Sequence, residues 1–276
     1  MKYILPTLIG VVLFGMMTCF ASAGTEVERA DWAKFFERFQ AGGTIVIIDE
    51  RPTSKGFISF NSDRAKKRFS PASTFKIPHA LFALDSRVIK DEFETIPWDG
   101  KKRFYPPWNR DQNLRSSMRH SVVWVYEKFA EEIGEQREKE YLKKIQYGNQ
   151  DPRGKGPFWL KEGNLKVSAL EQIEFLKKLY RNKLPFSIGD QRLVKDVMLI
   201  EAGRDWILRG KTGWDGKVGW WVGWVEHPNG AVFFALNIDT PNGLDDLPKR
   251  EGITRAILAS IGALKQDAEQ GSGGNG

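Results

Sequence analysis

Trp32, Phe35, Phe36 and Phe39 fall at i, i+3, i+4 and i+7 behind Asp31, a spacing that predicts a short amphipathic helix ended by Gly42-Gly43. Residues 44–49 (TIVIID) and 57–60 then read as the two strands of a hairpin. From 73 onward the apolar period lengthens, and helices are expected at about 73–85, 121–133, 136–146, 168–181 and 190–200. The fourth opens on Ser168-x-x-Glu171, a capping box whose side chains satisfy free amides at a helix start. Strands return at 206–212, 218–226 (VGWWVGWVE) and 231–239 (AVFFALNID), with His227-Pro228-Asn229-Gly230 turning between the last two. The unbroken apolar character of those two strands predicts that both faces of the sheet are covered, one by a final helix at about 247–261. The order β-β, helices, β-β-β-α implies an α/β (α+β) fold: a five-stranded sheet built from both chain ends, with an inserted helical lobe and a cleft between the two for a small ligand.

The termini separate from this pattern. Lys2 followed by an almost wholly apolar stretch from Tyr3 to Phe20, then Ala21-Ser22-Ala23, reads as a cleavable export signal over residues 1–23. Pro6, Gly10 and Gly15 interrupt the stretch and make it a poor membrane anchor. Its loss would also remove Cys19, the single cysteine, leaving no disulfide or thiol chemistry. Residues 266–276 are polar and Gly-rich and read as a disordered tail. No linker divides what remains, so residues 24–265 are expected to form one catalytic domain, its sheet lobe at about 24–65 and 200–265 and its helical lobe at about 66–199.

The chain carries 42 Lys and Arg against 35 Asp and Glu, a formal net charge of +7. Both signs are interleaved throughout, and with an export signal in front, nucleic acid is not an expected partner. A soluble exported protein, free of the membrane after signal cleavage, monomeric or homodimeric, is the class that composition leaves.

Candidate chemistry centres on Ser70-Pro71-Ala72-Ser73-Thr74-Phe75-Lys76-Ile77. Pro71 suits a first helical turn with Ser70 as its cap, and residues three apart share a helical face, so the Ser73 hydroxyl and the Lys76 amine can meet. A serine hydroxyl needs a base to take its proton, and Lys76 serves only if apolar surroundings depress its pKa. Ser and Lys three apart also occur on ordinary solvated helix faces. Two further segments sharpen the reading: Ser121-Val122-Val123 opens a helix 48 residues after Ser73, and Lys211-Thr212-Gly213 ends a strand 138 residues after it, where glycine lets a ligand approach the backbone.

Together these segments resemble the penicillin-recognising serine enzymes, and Tyr147-Gly148-Asn149, Phe158-Trp159-Leu160 and Trp220-Trp221-Val222-Gly223-Trp224 make the closer resemblance one to class D (oxacillinase-type) serine β-lactamases, specifically the narrow-spectrum kind. The resemblance spans essentially the whole mature chain. It implies a β-lactamase/DD-peptidase-like fold with a five-stranded antiparallel sheet, a periplasmic enzyme of a Gram-negative bacterium, and hydrolysis of penicillin-like β-lactams through an acyl-enzyme on Ser73. It also implies that Lys76 is N-carboxylated (N6-carboxylysine) and acts as general base, so that carbon dioxide or bicarbonate is needed but no other cofactor or metal. Trp159 and Val123 would stabilise that group, and the backbone amides of Ser73 and Trp214 would form the oxyanion hole. Ser121 and Lys211 would protonate the leaving nitrogen, while Val122, Thr212, Gly213 and Arg250 would bind the substrate, Arg250 through its carboxylate.

Class A relatives of this superfamily activate water with a loop glutamate. Glu162-Gly163-Asn164-Leu165-Lys166 approaches that pattern but lacks its final asparagine, and Glu162 is read as an exposed loop residue. The chain's histidines, His79, His120 and His227, come with no Gly-x-Ser-x-Gly elbow for a Ser-His-Asp hydrolase and no His-x-x-x-His for zinc. The alternatives that share the motifs are a β-lactam sensor domain, which acylates without turnover, and a cell-wall penicillin-binding protein.

Overall fold

The structure is a computed structural model that describes residues 26–52 and 56–265; the expected signal segment and tail lie outside the described residues. A three-residue strand β1 (Glu26–Glu28) and a 3-10 turn precede helix α1 (Ala33–Arg38), strand β2 (Gly43–Asp49) and strand β3 (Gly56–Phe60). The helical segment follows: α2 (Ser62–Lys66), a 3-10 turn (Ala72–Phe75) running into α3 (Lys76–Asp85), then α4 (Leu114–Arg119), α5 (Val123–Ile133), α6 (Glu135–Ile145), α7 (Ala169–Tyr180) and α8 (Ile188–Val197). Strands β4 (Leu199–Ala202), β5 (Ile207–Trp214), β6 (Val218–His227) and β7 (Gly230–Asp239) lead to the last helix, α9 (Leu247–Ser260).

The strands form one sheet in the order β1-β3-β2-β7-β6-β5-β4. Its five central strands are those the sequence pattern predicts, but the sheet has seven, and β1 pairs parallel to β3, so the expected five-stranded antiparallel sheet is corrected on both counts. Both additions are edge strands with no buried stripe to announce them. β1 is Glu-Val-Glu, and β4 is exposed along its whole length where the pattern had extended a helix to 200. Pairing alone fixes such strands, and no hydrophobic period reveals them.

Alternation along the central strands explains why their sequences look apolar throughout. Trp220, Val222 and Trp224 of β6 and Phe233 and Ala235 of β7 face the helical lobe, in one core with Phe75, Ile77 and Leu81. Their neighbours Trp221, Val225, Phe234 and Leu236 face α1 and α9, packing with Trp32, Phe36, Ile253 and Ile257. α7 starts at the expected box: Glu171 N donates to Ser168 Oγ (3.2 Å) and Ser168 N to Glu171 Oε2 (2.8 Å).

Large rings on β6 need room between strands, which Gly223 provides opposite Gly210 in the β5–β6 register. A Cβ on Gly223 would stand 2.1 Å from Arg209 O and 2.7 Å from the Cα of Gly210. Gly223→Ala is therefore expected to separate β5 from β6 at a cost of about 2–3 kcal/mol, the upper part of the range for overpacked cores. Thermal unfolding should show the melting temperature falling by about 4–12 °C, at about 2–4 °C per kcal/mol for a chain of this size.

Candidate active site

The turn that carries Ser73 is held from two sides. Ser70 Oγ and Ala72 N both donate to the carbonyl of Trp159, at 2.8 and 2.9 Å, and the Trp220 indole donates to Ser70 O at 2.8 Å. Ser70 is therefore not the helix cap the sequence pattern gave it, because its hydroxyl bridges to the Trp159 loop instead of accepting from a helix amide. Ala72, immediately before Ser73, sits at φ +48°, a left-handed conformation that costs a non-glycine residue energy and survives only where neighbours enforce it. Thr74 adds a further tie: its hydroxyl donates to Pro71 O (2.6 Å) and accepts from Gln172 Nε2 (2.8 Å), and Gln172 accepts from the Tyr147 hydroxyl (3.1 Å).

One turn on, Lys76 Nζ lies 2.9 Å from Ser73 Oγ. Lys76 is 1 % exposed, its ammonium position 5.0 Å from the centre of the Tyr126 ring, and Ser73 is its one hydrogen-bond partner among the described residues. Burial, reinforced by the positive charge of Lys211, holds its pKa well below the ordinary lysine value. Val122 is fully buried and Val123 half-buried beside this pocket's helix. The Trp159 ring stacks on Phe75 (5.7 Å between centres), and its indole N–H is buried without a partner among the described residues. A free buried donor of this kind awaits an acceptor.

A second serine–lysine pair faces the first. Lys211 Nζ donates to Ser121 Oγ and to Thr212 O, both at 3.0 Å. Ser121 does not open a helix as the pattern implied: α5 starts at Val123, and Ser121 occupies the preceding turn at φ +53°, which swings its hydroxyl towards β5. Burial, with Arg250 nearby, pushes the Lys211 pKa down to about 7.

Gly213 also has a structural purpose. A Cβ there would meet Pro71 O at 3.0 Å and Thr74 N at 3.1 Å, so the glycine lets β5 lie directly against the Ser73 turn. Trp214, next along β5, pairs with Gly219 and anchors its indole on Thr240 Oγ1 at 2.9 Å. Arg250 reaches in from α9, donating to Gly213 O (2.8 Å) and Leu247 O (2.7 Å), with its stem against Gly219. Buried and without a carboxylate among the described residues, its guanidinium has its pKa lowered to about 10. Ser73, Lys76, Ser121, Lys211, Thr212, Gly213 and Arg250 thus come from five separate elements to one locus.

Glu162 is exposed, and Ser121 is bonded to Lys211 rather than to its neighbour His120, whose carbonyl instead accepts from the Trp108 indole at 2.8 Å. Sequence reasoning missed Tyr126 as a wall of the Lys76 pocket and the Tyr147–Gln172–Thr74 relay. Tyr126 looks like any core aromatic of α5, and the relay joins positions 98 residues apart in sequence, so neither left a local signal.

Comparison with known proteins agrees with this geometry. The penicillin-binding protein transpeptidase domain family matches residues 40–259. The chain is 62% identical over 245 residues to β-lactamase OXA-2 of Salmonella typhimurium, covering 88% of each chain. Among solved structures, it resembles the class D β-lactamase YbXI from Nostoc (TM-score 0.80, 39% identity, 84% of this chain and 99% of that one). FUS-1 (OXA-85), a class D β-lactamase from Fusobacterium nucleatum subsp. polymorphum, gives a TM-score of 0.81 at 39% identity, over 86% of this chain and 100% of that one. A serine turn with a buried lysine at hydrogen-bond distance, set in this sheet and among these relatives, places the chain in the class D serine β-lactamases.

Proposed function

We propose that the protein hydrolyses penicillin-like β-lactams of the oxacillin type, conferring resistance to them, with Ser73 as nucleophile and Lys76, N-carboxylated, as the base. The observation that carries this reading is the Lys76 amine, shut from water with no ion-pair partner among the described residues, 2.9 Å from Ser73 Oγ. A lysine whose charged form is penalised by burial is shifted towards the neutral amine, the form that adds carbon dioxide with release of one proton. The indole N–H of Trp159, unpartnered among the described residues, supplies a donor for an acidic group on that amine, and Val122 and Val123 would help to keep the pocket dry. When bound, carbon dioxide gives the pocket a carboxylate able to take a proton from Ser73 and, later, one from water.

The chain's own groups do the rest. Ser73 Oγ attacks the lactam carbonyl, the C–N bond of the ring breaks, and an ester to Ser73 remains. Backbone amides of Ser73 and Trp214 hold the oxyanion. Ser121 passes a proton to the departing nitrogen and is resupplied through Lys211, whose pKa near 7 suits proton transfer at neutral pH. Arg250, with Thr212 and Gly213, seats the substrate carboxylate, for which a guanidinium fork is well shaped. Water then cleaves the Ser73 ester and frees the penicilloic acid.

Among the described residues no helix is long and apolar enough to cross a membrane. With residues 1–23 read as a cleaved export signal, the enzyme acts in the periplasm, as a monomer or homodimer.

Purified protein mixed with a chromogenic penicillin should turn over many equivalents; a single stoichiometric burst with a stable Ser73 adduct would assign it as a sensor or penicillin-binding protein instead. Lys76→Ala is expected to lower kcat by about 10²–10⁴, the usual worth of general base catalysis. Because the Lys76 pKa is lowered, the amine stays neutral to a lower pH than a solvent-exposed lysine and gains a proton as pH falls further. Activity should therefore drop on the acid side and after removal of carbon dioxide, and added bicarbonate should raise it in steady-state assays; indifference to bicarbonate would refute carboxylation. Arg250→Ala should cost kcat/KM about 10–150-fold, the equivalent of about 1.5–3 kcal/mol for a charged hydrogen bond, mainly through KM.

A further inference from the structure

Directly behind the Lys76 pocket lies a polar pair that the mechanism above does not use. His79 of α3, one helical turn beyond Lys76, is wholly buried, and its Nε2 is 2.7 Å from Glu138 Oε1 of α6, which is 1 % exposed. The other polar atom of each side chain, His79 Nδ1 and Glu138 Oε2, is buried with no partner among the described residues. Each such orphan costs about 1–3 kcal/mol, and apolar side chains of similar volume are often neutral or stabilising in place of a buried polar pair. Stability alone therefore gives no reason for a histidine and a glutamate here.

The ring contacts supply one. The His79 ring lies 5.0 Å from that of Trp159 and 5.2 Å from that of Phe75, on which Trp159 stacks. On its other side it lies 5.8 Å from the ring of Tyr126, which itself faces the Lys76 amine at 5.0 Å. His79 thus touches both Trp159, with its free indole N–H, and the aromatic wall of the lysine pocket. Its bond to Glu138 fixes one ring edge to α6, so the imidazole cannot turn about its own axis and the rings packed on it share that restraint. We infer that the Glu138–His79 pair is a positioning device that sets the orientation of the Trp159 indole, and through it the retention of carbon dioxide on Lys76. The inference rests on the proposed carboxylation of Lys76.

The test compares the wild type with the double variant His79→Phe/Glu138→Leu, which replaces the pair by apolar side chains of similar size, and with Glu138→Gln, which keeps an acceptor for the imidazole. Each protein is titrated with ¹³C-bicarbonate, and occupancy is read from the carboxylated-lysine carbon resonance, assigned by its absence in Lys76→Ala. Thermal unfolding is followed alongside. The double variant is expected to fold with undiminished stability yet to need about tenfold more bicarbonate for half-occupancy, the scale on which groups that orient a ligand-holding side chain act. Glu138→Gln should stay within about threefold of wild type. An unchanged half-occupancy in the double variant would show the pair to be mere filling and overturn the inference. Absence of the resonance in the wild type at every bicarbonate concentration would remove the carboxylation itself, a different failure from the first.

Discussion

A buried amine facing an aromatic ring, with no ion-pair partner among the described residues, is driven towards giving up its proton, and the rest of this site depends on that one electrostatic constraint. In water Lys76 would be an ammonium and useless as a base. Set 2.9 Å from Ser73 and 1 % exposed, it is held in the form that accepts protons or adds carbon dioxide. Lys211 reinforces the effect, since two buried cations close together disfavour each other's charge. The same burial that lowers Lys76 brings Lys211 to about 7, so both serine–lysine pairs are tuned by one dry, positively biased pocket.

The fold keeps that pocket dry and its parts in register. A sheet covered on both faces gives a rigid floor, and β5 passes so close to the Ser73 turn that any side chain at 213 would crowd it. From the helical lobe, the Trp159 carbonyl ties down Ser70 and Ala72, while the Tyr126 ring faces the lysine and the Trp159 ring stacks on Phe75. The left-handed turns at Ala72 and Ser121 flank both serines, so backbone strain is spent where side chains must be aimed.

Much of this was legible in the sequence because the physics behind it is local. Helical spacing places Lys76 over Ser73, the box at Ser168 and Glu171 starts α7, and the apolar runs of β6 and β7 announce a sheet buried on both faces. What escaped depends on partners distant in the chain. The edge strands β1 and β4 exist only through pairing, and Ser70 prefers the carbonyl of Trp159, 89 residues away, to the cap role that its neighbours offered. Ser121 lies in a turn because its left-handed backbone aims the hydroxyl at Lys211, 90 residues on. The His79–Glu138 pair likewise spans 59 residues and two helices, and nothing in either local pattern marks it.

The central claim is the neutrality of the buried Lys76 amine, and it is tested most directly by titrating that amine. Protein labelled with ¹³C at the lysine ε-carbons, kept in carbon-dioxide-free buffer, reports each lysine's protonation by NMR, with Lys76 assigned by comparison with Lys76→Ala. The account predicts that one lysine resonance, absent from the variant, titrates far below the ordinary value of 10.5 and is already neutral when the surface lysines remain charged. A Lys76 resonance that titrates alongside the surface lysines would contradict it.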